Sequence, residues 1–206
     1  MANEPHPVDV THDLRGWFYR AIAPSASCAV LEVGDAHLGT WFTNVSHVDN
    51  LAQAQPDTAD GRRFDVVVIH QSLGGCPSLL GTFESGSRML RQGGTLVLSG
   101  ANRLRPAGSR VSRPADIPSA TGWGYRTAAT RAGFADVSLY VAHPPDVAPL
   151  YAIDSRSRSA RAFFGTELAA RKLPAWSPRK WVLAALIATN LMPYLQPGFI
   201  VVARKC

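Results

Sequence analysis

Cysteine is scarce in this 206-residue chain. Its three cysteines, Cys28, Cys76 and Cys206, are too few and too widely spaced for a disulfide framework or a zinc site. Their odd number fits a reducing compartment. The first nine residues, MANEPHPVD, lack the basic-then-apolar order of a secretory signal. We therefore expect a cytoplasmic protein that does not depend on disulfides.

Long hydrophobic runs are also missing. The most apolar segment, WVLAALIATNLMPYLQPGFIVV, is interrupted by an asparagine, a glutamine and two prolines. Its unbroken part, residues 181–189, is much shorter than the roughly 20 residues that a membrane-spanning helix needs. With 46% hydrophobic residues, the chain can instead bury one sizeable core, which predicts a single domain.

Basic residues are distributed unevenly along the chain. Residues 1–70 hold four basic and nine acidic residues, for a net charge of −5, whereas the remainder holds 17 and 6, for a net charge of +11. A basic second half can attract an anionic substrate, a nucleic acid or an acidic membrane surface. No basic run is interleaved with aromatic residues as a nucleic-acid groove requires, so we expect no nucleic-acid partner.

The chain does contain short apolar runs that alternate with helix-like stretches, a pattern that predicts an α/β sheet. The predicted strands are 28–33, 64–70, 95–100, 135–142 and 198–205. The predicted helices are 77–90, stopped by RQGG, and 123–134, closed by Gly133, with two more at 159–171 and 178–190. Residues 101–122 form a long polar loop, for which a lid or substrate-binding role is expected.

The order of these pieces resembles the class I S-adenosylmethionine-dependent methyltransferases, of the methyltransferase type 11-like kind. FDVVVIHQSLGG is similar to that family's fourth strand, MLRQGGTLVLSGANR to its fifth, RTAATRAGFADVSLY to a helix and the sixth, and GFIVVARK to the closing strand. The resemblance implies a Rossmann-like doubly wound sheet whose last strand is antiparallel. It places the methyltransferase-like domain at 28–206, with a helical insertion at about 143–196, after an N-terminal segment and helix at 1–27.

The first strand and its loop, AVLEVGDAHLGTWFTNVSHVDN, match the family only in part. The family's first strand ends in an acidic residue followed by alternating glycines, because glycine allows backbone to approach a cofactor closely. Glu32 and Gly34 occupy the first two positions, but Ala36 and Leu38 replace the next glycines, and Gly39 comes one place late. We expect a modified cofactor loop.

The segment between the first strand and the strand at 64–70 is short for this family. Only sixteen residues separate Glu32 from Asp49, and fourteen separate Asp49 from Phe64. One strand-helix unit is therefore expected to be missing. If VSHVD corresponds to the family's second strand, Asp49 is the acid that binds the ribose hydroxyls; if it corresponds to the third, that acid is absent.

The resemblance implies S-adenosylmethionine as cofactor. His70 follows the fourth strand, where open α/β sheets place their ligands, so it is a candidate base for the proton that the acceptor loses. The alternative, that His70 only caps the turn after its strand, is favoured. The residues that the resemblance assigns to the cofactor are Glu32, Gly34, Asp35, Asp49, His70 and Gln71.

Several other side chains lie near the expected cleft. Asn102 and Arg103 follow the fifth strand, while Trp123 and Tyr125 either line an acceptor pocket or pack beneath it, with packing favoured for Trp123. The two histidines and two aspartates around the first loop do not have the spacing of a ligand motif, so we expect no metal; they are Asp35, His37, His47 and Asp49.

Three functions remain open at this stage. One is an active methyltransferase whose acceptor is a small or lipid-like molecule, and another is a catalytically inactive methyltransferase-like protein that binds a partner subunit. The third keeps the fold but changes the ligand or the chemistry, as an accessory subunit of a biosynthetic complex would. Basic residues beside apolar ones in SRSRSARAFF and RKLPAWSPRKWVLAALIA indicate either a peripheral membrane contact or helices packed on their own sheet. Helices packed on their own sheet are the favoured interpretation.

Overall fold

A β-sheet organises the part of the chain that the computed structural model describes, which comprises residues 17–34, 38–51, 63–70, 78–104, 119–143, 151–157, 177–189, 191 and 198–206. The strands are β1 Ala29–Val33, β2 Asn44–Val48, β3 Phe64–Ile69, β4 Leu90–Asn102, β5 Ser119–Ala120, β6 Phe134–His143, β7 Tyr151–Asp154 and β8 Gly198–Lys205. The helices are α1 Trp17–Ile22, α2 Leu79–Met89, α3 Gly122–Arg131 and α4 Pro178–Ala188.

The strands lie in the order β2-β1-β3-β4-β8-β6-β7, and β5 pairs with the end of β4. Strands β1 to β4 pair in parallel, whereas β8 lies between β4 and β6 and is antiparallel to both. The predicted antiparallel last strand is confirmed, as is the mixed α/β class. Strand β7, which pairs antiparallel with β6, was not predicted, because its four residues follow a proline-rich stretch and occupy a sheet edge.

Both faces of the sheet are covered, which explains why its central strands are apolar at nearly every position. Alternate residues of β1, β3 and β4 pack against α2 and α3 on one face; among them are Leu31, Val67 and Leu96. The intervening residues pack against α1 on the other face, among them Val30, Val66, Val68 and Val97. This is the doubly wound arrangement that the resemblance implies.

The helix ends follow the local sequence, with one correction. Helix α2 begins at the N-cap Ser78, whose hydroxyl accepts a hydrogen bond from the Gly81 amide at 3.0 Å, and α3 begins at the N-cap Thr121. Gly133 closes α3 with a positive φ of 85°, as predicted. Helix α2 ends at Met89, within one residue of the predicted end, but RQGG is not a loop, because these residues belong to the long strand β4.

Strand β2 pairs in parallel with β1, with Glu32 opposite His47. In doubly wound sheets the second strand lies next to the first, so VSHVD occupies the second-strand position. The chain reaches β2 through a short 3-10 helix, Leu38–Thr40, in place of a full helix. Among the described residues β2 is the outermost strand on this side of the sheet. Residues 52–62 lie outside the described residues, so the missing strand-helix unit stays a prediction.

The stretch predicted as a helical insertion at about 143–196 is described only in part. Helix α4 confirms the predicted helix at 178–190, and β7 lies in the same stretch. The predicted helix at 159–171 and most of the polar loop at 101–122 lie outside the described residues.

Candidate functional site

The carboxyl ends of β1, β2 and β3 bring most of the predicted site residues to one edge of the sheet, where open α/β sheets bind their ligands. Glu32 lies in β1, Asp49 follows β2, and His70 follows β3. Glu32 and His70 are buried, whereas Asp49 is exposed. Asp35 and Gln71 lie outside the described residues, so their assignment remains a prediction.

The Glu32 carboxylate ties the first loop to the sheet. One of its oxygens, Oε2, accepts a hydrogen bond from the Leu38 amide at 3.2 Å. Gly34 makes the turn after β1 with a positive φ of 89°, and its amide donates to the Val48 carbonyl at 3.0 Å. This backbone conformation favours glycine, so Gly34 is retained for a steric reason.

Leu38 replaces an expected glycine, yet its side chain is drawn into the core. It is fully buried in the cluster on the α1 face of the sheet, with Phe18, Val30 and Phe42. The Leu38 side chain therefore attaches the first loop to the hydrophobic core. Gly39, the next residue, has open space where a Cβ would stand.

Asp49 and His47 form a polar pair at the outer side of Glu32. His47 Nε2 lies 3.5 Å from Asp49 Oδ1, and His47 Nδ1 lies 4.0 Å from Glu32 Oε1. The Asp49 side chain is 85% exposed, so its carboxylate remains accessible to a ligand. In the part of the chain that is described, no cluster of three or more His, Cys, Asp or Glu side chains could hold a metal ion, and Asp35 and His37 lie outside that part.

His70 contacts a buried tyrosine that the sequence analysis did not single out. Its backbone amide donates to the Val33 carbonyl at 2.9 Å, and its Nδ1 lies 3.4 Å from the Tyr19 hydroxyl. The same hydroxyl lies 3.2 Å from Ser99 Oγ, so one group joins α1, β3 and β4. The only signal in the sequence was a polar side chain in each apolar segment, and Tyr19 and His70 are 51 positions apart in the chain.

At the end of β4 the predicted cleft residues have structural contacts. Asn102 is buried, and its Oδ1 accepts a hydrogen bond from the Leu104 amide at 3.0 Å, which turns the chain after the strand. Arg103 donates its backbone amide to the Ala120 carbonyl at 3.1 Å, which continues the pairing of β4 with β5.

The two aromatic residues of α3 differ in burial. The Tyr125 hydroxyl donates to the Ala101 carbonyl at 2.9 Å, its ring meets Phe199 edge to face, and burial raises its pKa. The packing predicted for Trp123 was wrong, because its side chain is 75% exposed. Residues two apart on a helix point in nearly opposite directions, so burying Tyr125 turns Trp123 outward.

Comparison with known proteins supports the architecture. A SAM-dependent methyltransferase from Thermotoga maritima, described as a possible histamine N-methyltransferase, superposes with a TM-score of 0.50 at 9% identity, over 91% of this chain and 85% of that one. The chain has the fold of the class I S-adenosylmethionine-dependent methyltransferases. In this methyltransferase fold, Glu32 and His70 lie at the carboxyl ends of β1 and β3.

Other solved structures are similar over shorter or looser superpositions. Phosphoethanolamine N-methyltransferase 2 of Haemonchus contortus, bound to S-adenosyl-L-methionine, gives a TM-score of 0.48 at 15% identity, over 87% of this chain and 49% of that one. This chain therefore spans about half the length of that protein. The [4+2]-cyclase SpnF gives 0.44 at 20% identity, over 87% and 74%.

At the level of sequence, no family model and no curated protein matches the chain. None of the described helices is long and apolar enough to cross a membrane. The methyltransferase fold is thus established by structure, and the chemistry must be argued from the site.

Proposed function

We propose that this chain is an S-adenosylmethionine-dependent methyltransferase that acts on a small or lipid-like acceptor in the cytoplasm. The observation that carries the proposal is the pair of carboxylates at the carboxyl ends of β1 and β2. Glu32 is buried and accepts a hydrogen bond from the backbone of the first loop, whereas Asp49, which follows the neighbouring strand, is exposed to solvent. Together they give a fixed loop beside an accessible hydrogen-bond acceptor.

The described residues fit the proposed cofactor. Asp49 offers carboxylate oxygens to a pair of ribose hydroxyls, and Gly34 presents backbone without a side chain at the turn. Leu38, which would crowd the loop if it pointed outward, is buried in the core. The net charge of −5 over residues 1–70 also suits a cationic sulfonium group. When bound, this cofactor supplies an activated methyl group.

His70 is the proposed base for the proton that the acceptor loses. An imidazole titrates near neutrality, so it can take up a proton under physiological conditions. Tyr19 is the proposed positioning residue, because its hydroxyl contacts Nδ1 and restricts the orientation of the ring. Methyl transfer depends mainly on the alignment of donor and acceptor, so a well-oriented ring matters more than a strongly basic one.

The acceptor class follows from charge and is the least specific part of the proposal. Residues 71–206 carry a net charge of +11, which favours an anionic or phosphate-bearing acceptor over a cationic one. We propose that the stretch at about 143–196, which contains β7 and α4, helps to select this acceptor.

Calorimetric titration of the purified protein with S-adenosylmethionine and S-adenosylhomocysteine tests the cofactor assignment. We expect measurable heat and a rise in melting temperature with both ligands. Glu32→Ala should weaken binding by at least tenfold, because the loop loses its anchor. Glu84→Gln, at an exposed position of α2, is the matched control and should bind normally. Absence of heat and thermal shift at millimolar ligand would refute the proposal.

A second function is favoured by one specific observation. Both Glu32 and His70 are buried, and both contact other groups of the fold, as residues with a purely structural role would. Such a site suits a catalytically inactive accessory subunit that binds a protein partner. In that case Glu32→Ala lowers the free energy of unfolding, and neither the variant nor the parent binds the cofactor.

A further inference from the structure

Helix α4 exposes an apolar face. Trp181 is 74% exposed and Val182 61% exposed, and Ala185 and Ala188 are exposed as well. These positions follow one another at i, i+1, i+4 and i+7, the spacing of a single helix face. Leu191, just beyond the helix, is half exposed. A surface helix normally turns its polar face outward, so this orientation marks a contact surface.

The part of the sequence that contains this helix is strongly basic. Residues 155–206 contain nine arginines and lysines but a single acid, Glu167. Two of the cations, Arg179 and Lys180, lie in the first turn of α4, and no charged residue follows them within the helix. Helix α4 therefore begins with two basic residues and continues with the exposed apolar positions.

We propose that α4 binds an anionic lipid surface, with Trp181 and Val182 in the interface and the cations of the first turn at the headgroups. Exposed apolar residues together with lysine and arginine in one helix are the combination that holds a helix in the plane of a membrane. Each cation near an anionic membrane adds attraction. A second copy of the chain carries the same net charge of +6, so charge repulsion disfavours self-association.

The dimensions of the helix agree with a surface location. Eleven residues span about 16 Å, roughly half of the apolar thickness of a bilayer. The helix therefore lies along the membrane and does not cross it. This proposal does not depend on the bound cofactor, so it can be tested separately from methyl transfer.

Sedimentation of the full chain with vesicles tests the proposal directly. Vesicles of phosphatidylcholine alone are compared with vesicles that also contain phosphatidylserine, at low salt and at about 0.5 M salt. We expect at least tenfold stronger partitioning onto the anionic vesicles, and loss of most of it at high salt, since screening removes the attraction of the cations.

Matched variants separate the apolar from the charged contribution. The double variant Trp181→Ser/Val182→Ser should lower partitioning by at least tenfold, because it removes the residues that enter the interface. Trp123→Ser is the control, since Trp123 is an equally exposed tryptophan outside α4 and should leave partitioning unchanged.

The charge variant Arg179→Gln/Lys180→Gln should also weaken binding by about tenfold or more. Its control, Arg126→Gln/Arg131→Gln, removes two exposed cations of α3 and should have a much smaller effect. Circular dichroism checks that all variants remain folded.

Three outcomes would overturn the proposal. The first is no binding of the parent protein to anionic vesicles. The second is equal loss of binding in the Trp181 and Trp123 variants, which would mean that any exposed tryptophan suffices. The third is a parent protein that is a dimer by light scattering and does not bind vesicles, with a Trp181→Ser/Val182→Ser variant that is monomeric. That result would assign the face to contact with a second copy.

Discussion

The two sides of the sheet are stabilised in different ways. On the β4-β8-β6 side, side chains from both faces pack closely, and glycine occurs where a buried ring leaves no space for a Cβ. On the β1-β2 side, β2 is largely exposed, and the first loop is held by the Glu32 carboxylate in addition to the buried Leu38 side chain. Packing therefore dominates on one side, whereas a side-chain hydrogen bond to a loop contributes on the other. The same substitution should therefore change the free energy of unfolding by different amounts on the two sides.

The largest expected difference comes from adding one methyl group on each side. A Cβ at Gly100 in β4 would overlap the hydroxyl and ring of the buried Tyr125, whereas a Cβ at Gly39 in the first loop meets nothing within 4 Å. Overpacking a core costs about 1–3 kcal/mol or more. We expect Gly100→Ala to lower the free energy of unfolding by about 3 kcal/mol and Gly39→Ala to change it by less than about 0.5 kcal/mol.

Urea unfolding of both variants measures this difference. The two glycines are matched because neither has a positive φ, so backbone strain does not enter the comparison. Similar losses in the two variants would show that the first loop is packed as tightly as the β4 side. The stated contrast between the sides would then be wrong.

The same contrast explains how much of the molecule the sequence predicts. The strands containing Val67, Leu96 and Val201 were predicted because burial on both faces leaves an apolar run that can be read locally. Glu32 and His70 were predicted through their positions at strand ends. Tyr19 and Ser99 were not, because their contact with His70 joins three elements that are distant in the chain.

Trp123 shows a second limit of prediction from the sequence. Its exposure depends on which residue of α3 turns toward the sheet, and the sequence offers both Trp123 and Tyr125 for that position. The exposed face of α4 has the same origin, since its apolar residues predict burial until the neighbouring elements are placed. Local pattern thus predicts the elements, whereas the direction in which each helix faces is decided by tertiary packing.

An intermediate effect is expected for Tyr19→Phe, which removes the hydroxyl between His70 and Ser99. Because the contact between Tyr19 and His70 is buried, we expect a decrease of about 1–2 kcal/mol in the free energy of unfolding. A positioning role further predicts that the imidazole resonances of His70 change their titration midpoint in an NMR pH series. Tyr140→Phe, in the same core cluster, is the control and should leave them unchanged. Unchanged His70 resonances in Tyr19→Phe would contradict the positioning role.

The smallest predicted effect is confined to the tightly packed side and depends on pH. Burial raises the pKa of Tyr125 above its ordinary value of about 10, so the folded chain keeps this proton at a pH where the unfolded chain loses it. The stability that Tyr125 contributes is therefore fully present below pH 10 and declines as the pH rises further. Tyr125→Phe has no proton to lose.

Near neutral pH, Tyr125→Phe should be about 1 kcal/mol less stable than the parent, because the hydrogen bond to the Ala101 carbonyl is lost. At a pH of about 10.5 this difference should shrink by about 0.8 kcal/mol, since ionisation of the unfolded parent then favours unfolding. Urea midpoints of both proteins between about pH 8 and 10.5 measure the change, and other titrating groups cancel in the comparison. A difference that stays constant over this range would mean that Tyr125 ionises as easily in the folded chain as in the unfolded one, and that the β4 side is more open to water than its packing indicates.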